Sequence, residues 1–266
     1  MKNLLVKKVH LFFTSFFIFL LHLPFVYAKP KVLNFKASNA SITPQHLLTN
    51  NLPVTSSSQK TINASLYDSL RLGSLGLGKH VFEYAMMGYN KMKLVGSLDN
   101  DQIISIVDFS KPSGLKRLFV IDLENYKVLF NTYVAHGVNS GKEFARQFSN
   151  VLQSNQSSLG FYTTAHTYSG KHGYSLHLRG IEKGINDNAF KRDIVVHGAE
   201  YVSESRVLTN GYVGRSHGCP AIPEQYKKPI IDKIKNGTCL FIFGDDQSYR
   251  NSTNMLNYNT YNLARG

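Results

Sequence analysis

Two cysteines, Cys219 and Cys239, stand in opposite settings. Cys219 closes the polar run Ser216-His217-Gly218-Cys219, whereas Cys239 lies inside the apolar run Thr238-Cys-Leu-Phe-Ile-Phe243. The thiolate is the reactive form of cysteine, and a neighbouring imidazole can generate or stabilise it. His197 follows a short apolar run, precedes Gly198 and lies 22 positions before Cys219. A strand end followed by a loop can return a thiol to an imidazole over that distance. Gly218 permits close backbone approach to a substrate, and the N–H groups of Gly218 and Cys219 are candidate donors to an oxyanion. Cys239 reads as a packed, structural thiol. A disulfide between the two cysteines is the alternative open to an exported chain.

The other histidines are less informative. His136-Gly137 repeats the His-Gly pair without a Ser-His-Gly-Cys run after it, which suits a structural or substrate-adjacent place. His166, His172 and His177 have five and four residues between them, match no common zinc spacing and lack an acidic partner. A zinc peptidase is therefore disfavoured, and no metal or cofactor is expected. The zinc deaminase pattern also fails, because no Cys-x-x-Cys follows the proline.

The elements that must position these groups are read from periodicity. Residues 63–98 carry apolar positions at helical spacing, interrupted by Gly73, Gly76 and Gly78, so two helices joined by a glycine turn are expected. Residues 99–244 are rich in strands: 103–109, a hairpin of 117–123 and 127–135, then 159–164, 174–178, 193–196 and 238–243. A helix is expected from near Pro223 to Lys235 despite Pro229, ending at Asn236-Gly237. The segment between Gly198 and Ser216 reads as a linker dense in small polar residues. The expected fold class is mainly β with α, a β-sandwich or mixed sheet preceded by helices.

Outside that region, residues 1–28 read as a signal peptide, with Lys2, Lys7 and Lys8 before an apolar run and Val26-Tyr27-Ala28 at the cleavage site. An uncleaved anchor is the alternative. Residues 29–62 read as a polar linker and 245–266 as a polar tail. Formal net charge is +13, and removal of 1–28 would lower it to +10. Such a charge favours anionic wall polymers or membrane surfaces. The basic residues are scattered and form no nucleic-acid-binding motif.

The run Gly214-Arg-Ser-His-Gly-Cys-Pro-Ala221 after Val196-His-Gly-Ala199 resembles the motif of the L,D-transpeptidase catalytic domain family, the YkuD-like fold, and within it the murein L,D-transpeptidase branch. Further support comes from Ile106-Val-Asp-Phe-Ser-Lys-Pro112, Arg117-Leu-Phe-Val-Ile-Asp-Leu123, Val134-Ala-His-Gly137, Ser157-Ser-Leu-Gly-Phe-Tyr162 and Gly170-Lys-His-Gly-Tyr-Ser175. The resemblance implies that Cys219 attacks a peptide carbonyl to form a thioester. It implies that His197 is the general base, oriented by a backbone carbonyl such as that of Gly198. Ser216, His217 and Gly218 would shape the substrate and oxyanion site. The chain departs from the usual motif in a slightly longer gap after His197 and in Pro220. Arg215 is a candidate partner for a substrate carboxylate.

The implied activity is cysteine-dependent L,D-transpeptidation in the periplasm or cell envelope. The donor would be a peptidoglycan tetrapeptide and the acceptor an amine, from a stem peptide or a protein lysine. Water as acceptor would make the chain an L,D-carboxypeptidase or endopeptidase. A non-catalytic wall-binding module is the alternative of another class.

Overall fold

The computed structural model describes residues 56–256, in which the glycines at 73, 76 and 78 separate two helices, α1 (Ser56–Ser69) and α2 (Lys79–Leu94). Gly76 takes φ +90°, a conformation that only glycine adopts cheaply. Helix α1 begins inside the stretch expected to be linker. Its apolar period is weak, and it is held by tertiary burial of Leu66 with Tyr67 and Leu70 packed alongside. Helix α2 follows its period: Val81, Phe82, Ala85, Met86, Tyr89 and Met92 are buried. Gly88 lets this helix come close to the sheet, since a Cβ there would stand 2.1 Å from the Phe161 ring.

The strands are β1 (Ile103–Asp108), β2 (Leu118–Asp122), β3 (Lys127–Thr132), β4 (Gly160–Gly170), β5 (Gly173–Gly180), β6 (Val195–Ala199), β7 (Ala221–Pro223) and β8 (Cys239–Phe243). They form one mixed sheet in the order β3-β2-β1-β8-β4-β5-β6-β7. Of the two arrangements open from sequence, the single mixed sheet is the one adopted. Strand pairs β1–β8 and β6–β7 are parallel, and the others are antiparallel. Strands β1 and β8 are buried along their whole length, which explains their continuous rather than alternating apolar runs. Phe161 and Phe241 are paired in register and their rings stack with centroids 4.2 Å apart.

Helix α3 (Glu204–Asn210) occupies the segment expected to be a linker. Ser203 caps it by accepting the Arg206 N–H, and Gly211 ends it in a left-handed conformation at φ +81°. Helix α4 (Lys227–Ile234) follows a short 3₁₀ turn and tolerates Pro229 because its third residue has no intrahelical donor to lose. The tail adds α5 (Gln247–Ser252), capped by Asp246. Buried Glu182 ties this helix to the sheet, accepting from the Phe161 N–H (2.7 Å), the Tyr249 hydroxyl (3.2 Å) and the Thr253 hydroxyl. The signal peptide read at 1–28, nearly all of the expected linker and the last ten residues of the tail lie outside the described residues. Among the described residues no helix is long and apolar enough to cross a membrane.

Candidate active site

Strand register brings Cys219 to His197's strand. In the parallel pair β6–β7, His197 lies opposite Ala221. Two residues earlier on each side stand Val195 and Cys219, and the Val195 N–H donates to Cys219 Sγ at 3.5 Å. Strand β5 sets the face. Ser175 pairs with His197 and so shares its face, whereas the adjacent Tyr174 points the other way and donates to Asp232 of α4 at 2.8 Å. The site therefore opens on the face that α4 does not cover.

The turn that presents the thiol is held peptide by peptide. The Ser216 N–H donates to the His136 carbonyl (2.9 Å), and the Ser216 carbonyl accepts from the Val138 N–H (2.7 Å). Ser216 Oγ accepts the Gly218 N–H (3.0 Å) and donates to the Cys219 carbonyl (2.6 Å). The Gly218 carbonyl accepts from Ser157 Oγ at 3.2 Å. Position 218 requires glycine, with φ +120° and no room for a Cβ, which would lie 2.7 Å from the Gln156 carbonyl oxygen. Of the two amides considered as oxyanion donors, that of Gly218 is occupied by Ser216. The Cys219 N–H has no partner among the described residues.

His197 is buried, and its Nδ1 is 2.9 Å from the Gly198 carbonyl. A carbonyl only accepts, so Nδ1 carries the proton and Nε2 keeps its lone pair. That tautomer suits a general base. Gly198 is tightly enclosed: a Cβ there would meet Glu224 Oε2 at 2.3 Å and the Lys227 stem at 2.8 Å. His172, at the turn between β4 and β5, stacks on His197 with centroids 4.4 Å apart and planes at 25°. Burial lowers the His197 pKa and His172 and Lys227 add to this; the Gly198 carbonyl and Glu224 oppose it.

The thiol rests in its neutral form. Cys219 is half-buried, and the protein packed around its sulfur pushes the thiol up to about 11. Besides the Val195 N–H, its partner is the Asp193 carbonyl, which accepts from Sγ at 3.5 Å. Among the described residues no hydrogen bond joins the thiol to His197. Arg192 opposes the effect of burial on the thiol, and its Nη2 is 3.3 Å from where a Cβ on Gly218 would stand. The same guanidinium binds Ser149 O, Ser158 Oγ, Ser154 Oγ and Gln156 O at 2.6–3.1 Å, tying the segment beneath the turn together.

Arg215, just before the turn, and His217, within it, are exposed. Arg215 Nη1 donates to the Gly141 carbonyl at 3.3 Å. His136 is fully buried behind the turn. Its Nδ1 accepts from Arg117 Nη2 at 2.8 Å, which leaves Nε2 to donate to the Gly141 carbonyl at 3.3 Å. Burial and the neighbouring Arg117 push the His136 pKa down to about 3. Cys239 is also buried, 3.7 Å from Met92 Sδ, and both cysteines are free, so the disulfide alternative is not realised. Among the described residues no group of three His, Cys, Asp or Glu side chains is placed to hold a metal ion.

Three residues at this site have no assigned role from sequence. His172 stands in Gly170-Lys-His-Gly173, where sequence offers it only as a disfavoured zinc ligand. Ser157 lies in a segment quoted for the resemblance without a role of its own, and Arg192 carried no signal, since its partners are backbone carbonyls and serine hydroxyls more than thirty residues away.

The sheet thus carries a Ser-His-Gly-Cys turn beside a carbonyl-oriented histidine. The family model of the L,D-transpeptidase catalytic domain matches residues 74–243, and the chain belongs to that family. No curated protein matches the chain. Similar solved structures include an L,D-transpeptidase from Mycobacterium smegmatis, at 13% identity and TM-score 0.34, covering 54% of this chain and 59% of that one. L,D-transpeptidase 3 from Mycobacterium tuberculosis aligns at 12% identity and TM-score 0.34, over 53% of this chain and 61% of that one. The L,D-transpeptidase (residues 123–326) from Xylanimonas cellulosilytica aligns at 14% identity and TM-score 0.32, over 67% of this chain and 92% of that one. The chain thus spans about three fifths of the first of these structures. The assignment rests on the family match.

Proposed function

We propose that this chain is a cysteine-dependent L,D-transpeptidase acting on peptidoglycan stem peptides in the cell envelope. The observation that carries the reading is the Ser216–Cys219 turn, in which the other anchored groups are satisfied and the Cys219 N–H is left without a partner next to the thiol. A donor amide without a partner beside a nucleophile can stabilise the oxyanion of a tetrahedral intermediate.

The chemistry follows from the resting states. Cys219 holds its proton, so attack on the donor carbonyl requires the proton to leave as the S–C bond forms. The Nε2 lone pair of His197 is available to take it, once substrate binding brings thiol and imidazole within reach. Collapse of the intermediate breaks the peptide C–N bond, and His197 returns the proton to the departing amine of the terminal D-amino acid. An incoming amine from a stem peptide or a protein lysine then attacks the thioester and regenerates the thiol. Ser216 and Gly218 hold the turn, while exposed His217 within it and Arg215 just before it are placed where a substrate would lie. Arg215 is the cation suited to a substrate carboxylate. The net charge, +13 for the full chain and +10 without residues 1–28, favours retention at anionic wall or membrane surfaces.

The test is intact mass after incubation with purified disaccharide tetrapeptide, with and without an amine acceptor. Wild type should gain a thioester adduct at Cys219, which the amine discharges into crosslinked product. Full product formation by Cys219→Ala would refute the assignment. Discharge to free tripeptide at the same rate with and without amine would instead identify water as the acceptor.

A further inference from the structure

We propose that Ser157 is the positioning residue of the oxyanion site, aiming the Cys219 N–H by holding the carbonyl on the same peptide unit. The proposal rests on Cys219 being the acylated nucleophile. In a trans peptide unit the C=O and N–H point in opposite directions. Ser157 Oγ donates to the Gly218 carbonyl at 3.2 Å, so the Cys219 N–H is directed away from Ser157. Ser216 holds the groups on either side, the Gly218 N–H and the Cys219 carbonyl. The intervening peptide unit hinges on a glycine, whose backbone would otherwise rotate easily. Ser157 is what holds it.

The hydroxyl can play this part because its own orientation is determined. Ser157 is 1% exposed. Its Oγ accepts the Gly137 N–H at 3.0 Å, which commits a lone pair and leaves the hydroxyl proton for Gly218. Its N–H donates to buried Ser140 Oγ at 2.9 Å, and its carbonyl accepts the Ser149 N–H at 3.0 Å. A line of two buried serines thus runs from Ser140 through Ser157 to the catalytic turn. Neither serine need touch substrate.

Two reactions at the same sulfur separate this role from simple structural support. With 4-nitrophenyl acetate, sulfur attacks the ester carbonyl, an oxyanion forms, 4-nitrophenolate leaves and Cys219 is acetylated; the thiol proton passes to His197 or buffer. With iodoacetamide, sulfur displaces iodide at a saturated carbon and no oxyanion forms. Ser157→Ala should lower acetylation of Cys219, read by adduct mapping, by roughly 10- to 100-fold, somewhat less than deletion of an oxyanion donor. Alkylation should stay within about twofold, because the thiol itself is unaltered. Ser157→Thr keeps the hydroxyl and should recover most of the acetylation-to-alkylation ratio.

Acetylation equal to wild type, or an equal fall in both rates, overturns the role of Ser157. If Ser157→Ala fails to fold, Ser140→Ala carries the test, since it loosens Ser157 without removing its hydroxyl. A roughly 3- to 10-fold fall in the same ratio is then expected, as for a misaligned rather than deleted donor, and an unchanged ratio overturns the proposal. A folded wild type that never acetylates at Cys219 instead overturns the enzyme reading on which the proposal rests.

Discussion

Raising pH should activate Cys219 towards iodoacetamide without a plateau in the neutral range. The thiol sits at about 11 because it is buried. Each pH unit below that value lowers the thiolate tenfold. At pH 7 about one molecule in 10⁴ carries a thiolate, against roughly one in 30 for an unperturbed thiol near 8.5. A more basic sulfur is the better nucleophile, and a Brønsted slope of about 0.4–0.5 returns roughly a factor of ten. Net alkylation at pH 7 should therefore be about 30-fold slower than that of a small model thiol. The assay is pseudo-first-order alkylation from pH 6 to 10, with Cys219 and Cys239 resolved by peptide mass. Log rate at Cys219 should rise with a slope near one throughout, and Cys239 should stay unlabelled in the folded protein. A plateau between about pH 6 and 8 would refute the reasoning, because it would mean a thiolate–imidazolium pair already formed at rest. Slow alkylation is thus the behaviour expected of the resting enzyme. Acyl transfer, rather than alkylation, is the measurement that separates a catalytic chain from a wall-binding module.

Arg117→Lys should be strongly destabilising, because the guanidinium serves the Val134 and Lys111 carbonyls and His136 Nδ1 together. A lysine presents one point charge where a planar fork is needed. A loss of about 3–5 kcal/mol is expected, lowering Tm by roughly 6–20 °C by circular dichroism, and an unchanged Tm would contradict the analysis. His136 makes stability fall in acid. Its folded value is near 3, so between about 3 and 6.5 the unfolded chain binds the extra proton. Its contribution is complete above about pH 6.5 and is lost as pH drops towards 3, by at most about 1.4 kcal/mol per unit. His136→Gln should flatten the slope of urea-unfolding stability against pH in that window, and an unchanged slope would remove His136 as its source. Cys239→Ala should cost about 1–2 kcal/mol through the space left beside Met92 while keeping full acyl transfer. Loss of acyl transfer in a folded Cys239→Ala protein would show that the roles of the two cysteines are misassigned.

Local pattern settled much of this protein in advance. The apolar period of α2, the uninterrupted apolar run of β8 and the glycine turn between the first two helices can be read directly, because each expresses one face or one dihedral requirement of a short segment. The same holds for the contrast between Cys219, in a glycine-flanked polar turn, and Cys239, in a buried strand. Only the start of helix α1 escaped, because residues 56–62, expected to be linker, carry no clear apolar period. Helix α3 escaped because none of its residues is buried, so it has no apolar stripe to find. At the site, sequence singled out the Ser216–Cys219 turn and the strand that carries His197. It left two amides as oxyanion candidates, and only the tertiary structure showed that Ser216 occupies one of them. The neutral thiol, the His172 stack and the hold of Ser157 on Gly218 likewise depend on groups brought together from distant parts of the chain. Residue type and spacing determine what chemistry is available. Which proton, amide or lone pair is free to perform it depends on partners that only folding supplies.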